Sequence, residues 1–198
     1  MILKTPWAVI PGLVSEETCA ELEAHGDEQQ WHDAREFTGL RDEEAAVRRA
    51  GEVAWFQSQD LLDSLAETLR SANERAGWHF DLGPIEPLQY SVYGVDDHFD
   101  WHSDMHDEPY GPDWGPMEGL VRKLTFSLQL RSADTFEGGR FQIEYGPPDD
   151  PDRVRTIEGL EGPGSLLVFP SFLYHRVTPV SEGVRKALVG WVLGPPYR

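Results

Sequence analysis

A single cysteine, Cys19, stands in 198 residues, so no intrachain disulfide is available and a reducing cytoplasm is the expected compartment. Long apolar runs are missing as well. Nothing approaches the ~18 residues of a membrane-spanning helix. The N-terminal MILKTPWAVIPGLV is broken by two prolines and lacks a sustained apolar core and a small-residue cleavage site, so no membrane association and no secretory leader are expected. Positive charge is scarce. Lysine and arginine number 17 against 35 aspartates and glutamates, a formal net charge of -18, which repels a phosphate backbone and makes nucleic acid a poor partner. Between Ala76 and Val121 there is no lysine or arginine but there are ten carboxylates, among them Asp96, Asp97, Asp100, Asp107, Glu108 and Asp113. Such a run reads either as a solvated acidic surface or as a site mouth that prefers neutral or cationic substrates.

What is present fits an ordinary globular protein: 39% hydrophobic and 26% charged residues, with 19 glycines, 15 prolines and 11% aromatics that lean toward strands and turns. The length suits one domain over residues 1–198. Its first part, residues 1–77, reads as mainly helical. After a short entry strand over Trp7 to Ile10, Ser15 is placed to cap a helix running to about His25 and stopped by Gly26, with Cys19 and Leu22 inward. Residues 31 to 44 are polar without period, and Val47 to Phe56 reads as strand. Leu61, Leu62, Leu65, Leu69 and Ala72 then recur at helical spacing up to Gly77.

Residues 78–198 read as β. Strands are expected over Trp78 to Leu82 and Leu88 to Tyr93, and over the segment ending at His102. The stretch DMHDEPYGPDWGPMEG is rich in glycine and proline and is expected to be a long irregular loop of the lid kind. In the following strand Leu124, Phe126, Leu128 and Leu130 alternate with Lys123, Thr125, Ser127 and Gln129. The polar side faces water in a sandwich or the lumen in a barrel that holds a polar ligand. Further short strands follow over Arg140 to Tyr145, Val154 to Ile157, Ser165 to Phe169, Tyr174 to Val177 and Ala187 to Leu193, separated by glycine and proline turns. The fold expected is mainly β with N-terminal helices, a double-stranded β-helix or jelly roll.

Within YGVDDHFDWHSD, His102 and Asp104 are two residues apart, which in an extended strand puts both on one side. One nitrogen and one oxygen donor make two-thirds of the 2-His-1-carboxylate facial site that suits non-heme Fe(II). The third donor is expected from a distant histidine, and His175 lies in a β-rich run with Arg185 ten residues later. His98 and His102 are four apart, as in helical zinc sites, but Gly94 and the aromatic neighbours argue against a helix there. His25, His32, His79 and His106 have no spaced partner and read as surface or structural. Arg185 is either an exposed strand arginine or a planar cation for a carboxylate in a partly buried pocket. Tyr93 is either a core aromatic or a donor to that same carboxylate.

The chain resembles the Fe(II)/2-oxoglutarate-dependent dioxygenases, in particular the prolyl 4-hydroxylase-like branch with its PKHD-type members. YGVDDHFDWHSD, RKLTFSLQL, EGGRF, GSLLVFPSFLYHRVTPV and EGVRKALVGW carry the resemblance over roughly residues 88 to 194, in the family's order. It implies that His102, Asp104 and His175 bind iron and are the catalytic centre. It further implies that Arg185 pairs with the distal carboxylate of 2-oxoglutarate, with Tyr93 as a second donor, and that Ser127, Gln129 and Phe141 face the pocket. Two departures stand out: Phe99 takes a place where many relatives have tyrosine, and Gln129 one where an aromatic hydroxyl is common. The implied cofactors are Fe(II), 2-oxoglutarate and O2, with ascorbate as accessory reductant. The implied reaction is hydroxylation of an unactivated C–H of a prolyl, peptidyl or amino-acid-type substrate. The reading from another class is a non-enzymatic jelly-roll module that holds a metal or a small molecule.

Overall fold

The computed structural model describes residues 3–37, 44, 48–56, 58–106 and 108–197. The chain runs through β1 (Ala8–Ile10), α1 (Glu16–Asp27), β2 (His32–Asp33), β3 (Arg49–Ala50), β4 (Glu52–Phe56) and α2 (Gln59–Arg75). It continues through β5 (Leu88–Tyr93), β6 (His98–His102), β7 (Val121–Gln129), β8 (Phe136–Gly138), β9 (Phe141–Glu144) and β10 (Val154–Thr156). The last strands are β11 (Leu166–Pro170), β12 (His175–Val177), β13 (Val180–Gly183) and β14 (Arg185–Gly194). Seven strands form one sheet in the order β1-β11-β7-β14-β5-β4-β2, five form a second in the order β10-β9-β12-β6-β3, and β8 pairs with β13. The two sheets make the expected double-stranded β-helix.

Residues 1–77 are more than a helical support. β1 pairs with β11 and β4 with β5 in the large sheet, while β3 pairs with β6 in the small one. The single strand expected over Val47 to Phe56 is therefore two strands in different sheets, with Val47 itself outside the described residues. Gly51 makes the switch: its φ is 130°, and a Cβ there would sit 2.8 Å from the Val92 carbonyl oxygen.

The helices pack on the outer face of the large sheet. In α1, Ser15 caps the start by accepting from the Thr18 N–H at 3.1 Å, and Glu16 and Glu17 complement the helix dipole. The helix does not stop at Gly26 but runs on to Asp27. Gly26 is there for contact: a Cβ would lie 2.4 Å from the Tyr90 ring, which presses flat against the helix. α1 is further tied to the sheet by the Tyr90 hydroxyl, which donates to Asp27 at 2.8 Å, and by Lys186, which donates to Glu23 and Asp27 at 2.9 Å. In α2, Leu61, Leu65, Leu69 and Ala72 are buried along one face, as their spacing predicts.

Trp78 to Leu82 is not a strand. Asn73 on α2 satisfies its backbone instead, with the side-chain oxygen accepting from Phe80 N–H and the amide donating to Phe80 C=O, both at 3.0 Å. Short-range pairing with a helix side chain leaves those groups unavailable for a ladder.

Alternation along β7 and β11 divides the interior in two. Leu124, Phe126, Leu128, Leu166 and Val168 join the core beneath the helices, whereas Leu167 and Phe169 join a second cluster with Tyr93, Phe141, Ile143 and Val177. Thr125, Ser127 and Gln129, on the other side of β7, are all buried. The polar side of that strand therefore faces the interior between the sheets, which decides between the two readings that periodicity left open.

Candidate active site

Strand register brings the distant histidines together, because His175 on β12 lies directly opposite His102 at the end of β6. Asp104 sits just past that strand rather than within it, and its N–H donates to the Ser171 carbonyl at 2.9 Å. One donor atom from each of His102, Asp104 and His175 falls within 4.8 Å of the others. His102 Nε2 is 3.6 Å from Asp104 Oδ1, and His175 Nε2 is 3.4 Å from Asp104 Oδ2.

The ring nitrogens turned away from this centre are held by backbone. His102 Nδ1 lies 2.7 Å from the Asp100 carbonyl and His175 Nδ1 lies 3.0 Å from the Leu173 carbonyl. A carbonyl only accepts, so each Nδ1 carries a proton, and each Nε2 is the ring atom turned toward the centre. Burial, with His175 alongside, pushes His102 down to about 3 and keeps it neutral near pH 7. Burial alone would raise Asp104, but His175, His102 and Arg122 outweigh it, and the carboxyl is held below the usual carboxylate range. The Thr125 hydroxyl donates to Asp104 Oδ2 at 2.8 Å. Two imidazole nitrogens and an oriented carboxylate are a donor set that fits a divalent iron.

These groups line a cavity of roughly 840 Å³ between the sheets, within the usual range for a ligand pocket. Arg185 opens β14 directly opposite Tyr93 on β5, with its guanidinium 5.5 Å from the Tyr93 ring centre. It is only 4% exposed, and among the described residues no carboxylate pairs with it. A buried guanidinium without a counter-ion in a cavity is a place for an anionic ligand. Tyr93, Ser127 and Phe141 line the same cavity, Phe141 stacking at 5.4 Å on the His175 ring. Gln129 does not: its amide donates to the Arg131 carbonyl at 2.9 Å, beyond the cavity lining.

The loop after Asp104 roofs the cavity with Met105, His106, Tyr110, Trp114 and Met117. It is less irregular than expected. Its base is pinched by Tyr110 N–H to Leu120 C=O and Gly119 N–H to Tyr110 C=O, and Pro112–Met117 forms 3-10 turns. The Tyr110 hydroxyl donates to Glu86, which Arg122 also holds through two hydrogen bonds.

Sequence reasoning missed several lining residues. Thr125 shares the side of β7 that carries Ser127, so alternation was a usable signal for it. Arg49, Trp55, Gln89, Arg122 and Trp191 also line the cavity, but they come from several strands whose meeting no local pattern announces. The acidity of residues 76 to 121 hardly reaches the site: of those carboxylates, among the described residues, only Glu86 and Asp104 line the cavity.

Comparison with known proteins agrees with this geometry. Residues 88–193 match the 2OG-Fe(II) oxygenase superfamily model. A PKHD-type hydroxylase of Hyphomonas neptunium is 26% identical over 185 residues, covering 93% of this chain and 76% of that protein. A PKHD-type hydroxylase of Idiomarina loihiensis is 37% identical over 86 residues, covering 41% of this chain and only 36% of that protein. A Pseudomonas putida prolyl-4-hydroxylase structure superposes with a TM-score of 0.68 over 96% of this chain and 92% of that one; at 18% identity the likeness is one of fold. A family match over residues 88–193, the stretch that holds the three ligand candidates, displaces the reading of a non-enzymatic jelly roll. The chain belongs to the 2OG-Fe(II) oxygenase superfamily.

Proposed function

We propose that this protein is an Fe(II)- and 2-oxoglutarate-dependent dioxygenase that hydroxylates an unactivated C–H bond of a prolyl, peptidyl or amino-acid-type substrate. The observation that carries the reading is a facial donor set, His102, Asp104 and His175, in one cavity with an uncompensated buried cation, Arg185. The names of the relatives, PKHD-type hydroxylase and prolyl-4-hydroxylase, support hydroxylation and the substrate class.

His102 Nε2, His175 Nε2 and Asp104 Oδ1 would hold the iron. Arg185 would take the distal carboxylate of 2-oxoglutarate, with Tyr93 beside it. The iron, with 2-oxoglutarate and O2, would supply the oxidising power for hydroxylation, at the expense of oxidative decarboxylation of the cosubstrate to succinate and CO2. The protein's share is orientation and shelter. Asp100 and Leu173 carbonyls fix the imidazole tautomers, and Thr125 fixes the carboxylate. The loop over the cavity mouth limits water.

The test is anaerobic Fe(II) reconstitution followed by a substrate screen that reads succinate. The expected result is one iron per chain in the native protein and loss of iron in folded His102→Ala and His175→Ala variants, with succinate formed on admission of O2. Full iron content in both variants removes the metal assignment, and iron-loaded protein that neither binds nor consumes 2-oxoglutarate removes the activity.

A further inference from the structure

A second guanidinium is buried in the same cavity without a carboxylate partner among the described residues. Arg49 on β3 is 4% exposed and lines the cavity, and among the described residues its Nε has no hydrogen-bond partner. Its guanidinium lies 4.4 Å from the centre of the Phe99 ring, which in turn stacks at 3.5 Å on the metal-ligand candidate His102. Burial pushes its pKa down, and what opposes this is Tyr93, which also makes a side-chain hydrogen bond with it, and Asp104. Asp104 is already committed to the metal centre.

Charge accounting through the cavity isolates this residue. Arg122 is matched by Glu86 in a bidentate pair. Once loaded, Fe(II) with Asp104 and 2-oxoglutarate with Arg185 come to zero formal charge. Arg48 is only half-buried and is screened by water. Arg49 then remains as a desolvated cation in the cavity that His102, Asp104 and His175 also line, with no carboxylate partner among the described residues. An uncompensated buried charge is costly, and a guanidinium offers a planar fork suited to a carboxylate.

We propose that Arg49 receives a carboxylate of the primary substrate, so that the enzyme selects carboxylate-bearing molecules, free amino acids among them, over their neutral derivatives. The proposal rests on the dioxygenase reading above, and it reverses the expectation of a neutral or cationic substrate drawn from the acidic stretch.

The test works with simple probes in place of the natural substrate. The anaerobic protein loaded with Fe(II) and 2-oxoglutarate is titrated with matched acids and amides: benzoate and benzamide, N-acetylproline and N-acetylprolinamide. Perturbation of the metal-to-ligand charge-transfer band reports occupancy beside the iron. At least one acid is expected to bind roughly 30-fold or more tightly than its amide, about 2 kcal/mol. Arg49→Gln should abolish that preference and Arg49→Lys should keep part of it, while 2-oxoglutarate affinity stays within about threefold, unlike in Arg185→Ala. Acids binding no better than amides in the native protein overturn the proposal without any variant having to fold. So does an acid preference that survives Arg49→Gln, or a loss of 2-oxoglutarate affinity in Arg49→Gln as large as in Arg185→Ala. If no charge-transfer band forms with 2-oxoglutarate in the first place, the dioxygenase reading fails, which is a different result.

Discussion

Replacing Arg185 by methionine removes a charge but keeps most of an apolar stem, and the structure separates its effects on stability and on ligand affinity. In the ligand-free protein the guanidinium is 4% exposed and has no carboxylate partner among the described residues, so no ion pair is broken by the change. The unfolding midpoint of Arg185→Met should therefore stay near the native value or rise, since a buried unpaired cation is itself a cost. Affinity for 2-oxoglutarate should move the other way. Removing one member of a buried charge pair leaves the other uncompensated and costs on the order of 3 to 5 kcal/mol. At about 1.4 kcal/mol per decade that is roughly two to four powers of ten in Kd. Arg185→Lys keeps the charge, loses the fork and should fall between. Iron binding should survive in all three proteins. Anaerobic titration of 2-oxoglutarate, followed through the charge-transfer band, measures the affinities, and urea unfolding measures the stability. A native-like Kd in folded Arg185→Met would falsify the assignment of this arginine to the cosubstrate.

Thr125→Val removes the hydroxyl that orients Asp104 while keeping the side-chain shape; iron affinity should drop about 10- to 100-fold, and competition against a chromophoric chelator that shows no change would exclude this role. Gly26→Ala drives a methyl into the Tyr90 ring, and overpacking of this kind should cost about 1 to 3 kcal/mol in urea unfolding; an unaltered midpoint would mean that α1 is not pressed against the sheet as described. Glu23 is held below its ordinary 4.5, chiefly by the Arg131 hydrogen bond and against a smaller effect of burial. Its folded pKa is depressed, so its contribution to stability is present above about 4.5 and is lost as pH falls through the lower folded value. Glu23→Gln should thus be less stable than native at neutral pH and converge with it in acid, and a stability gap that persists in acid would contradict the linkage.

Local sequence pattern carried the helices and most strands because each is amphipathic at its own period. Leu61, Leu65 and Leu69 mark α2, and the alternation in β7 marks a strand with two unlike sides. Where expectation failed, a partner outside the segment's own pattern had taken over. Gly26 looks like a helix stop until Tyr90, far along the chain, is seen to need the space. Trp78 to Leu82 looks like a strand until Asn73 is seen to hold its backbone. The cluster of His102, Asp104 and His175 was legible because its donor chemistry is distinctive even without coordinates. Arg49 was not, since one arginine in a strand gives no hint of burial, and the burial comes from a chain crossing between sheets at Gly51. Gln129 shared its strand side with Ser127, but it stands at the strand end, where the Arg131 carbonyl is within reach.

The distribution of charge gives one more consequence, in the kinetics of cosubstrate entry. The formal net charge is -18, and most carboxylates of the 76 to 121 stretch lie outside the cavity, whereas the cavity itself carries Arg49 and Arg185 without carboxylate partners among the described residues. A 2-oxoglutarate dianion thus approaches through a repulsive field and binds in an attractive one. Exposed charges are screened over a Debye length of about 8 Å at 0.15 M salt, while buried groups are screened far less. Raising ionic strength from roughly 0.01 M to 0.15 M should therefore speed association by relieving the long-range repulsion. Dissociation, which on the proposed function is governed by a buried contact with Arg185, should change little. Stopped-flow mixing of 2-oxoglutarate with anaerobic Fe(II) protein resolves the two rate constants through the same absorption band. An association rate that falls with added salt would mean that the cavity's arginines, not the acidic surface, govern the approach, and that the acidic stretch lies too far from the mouth to act on the ligand.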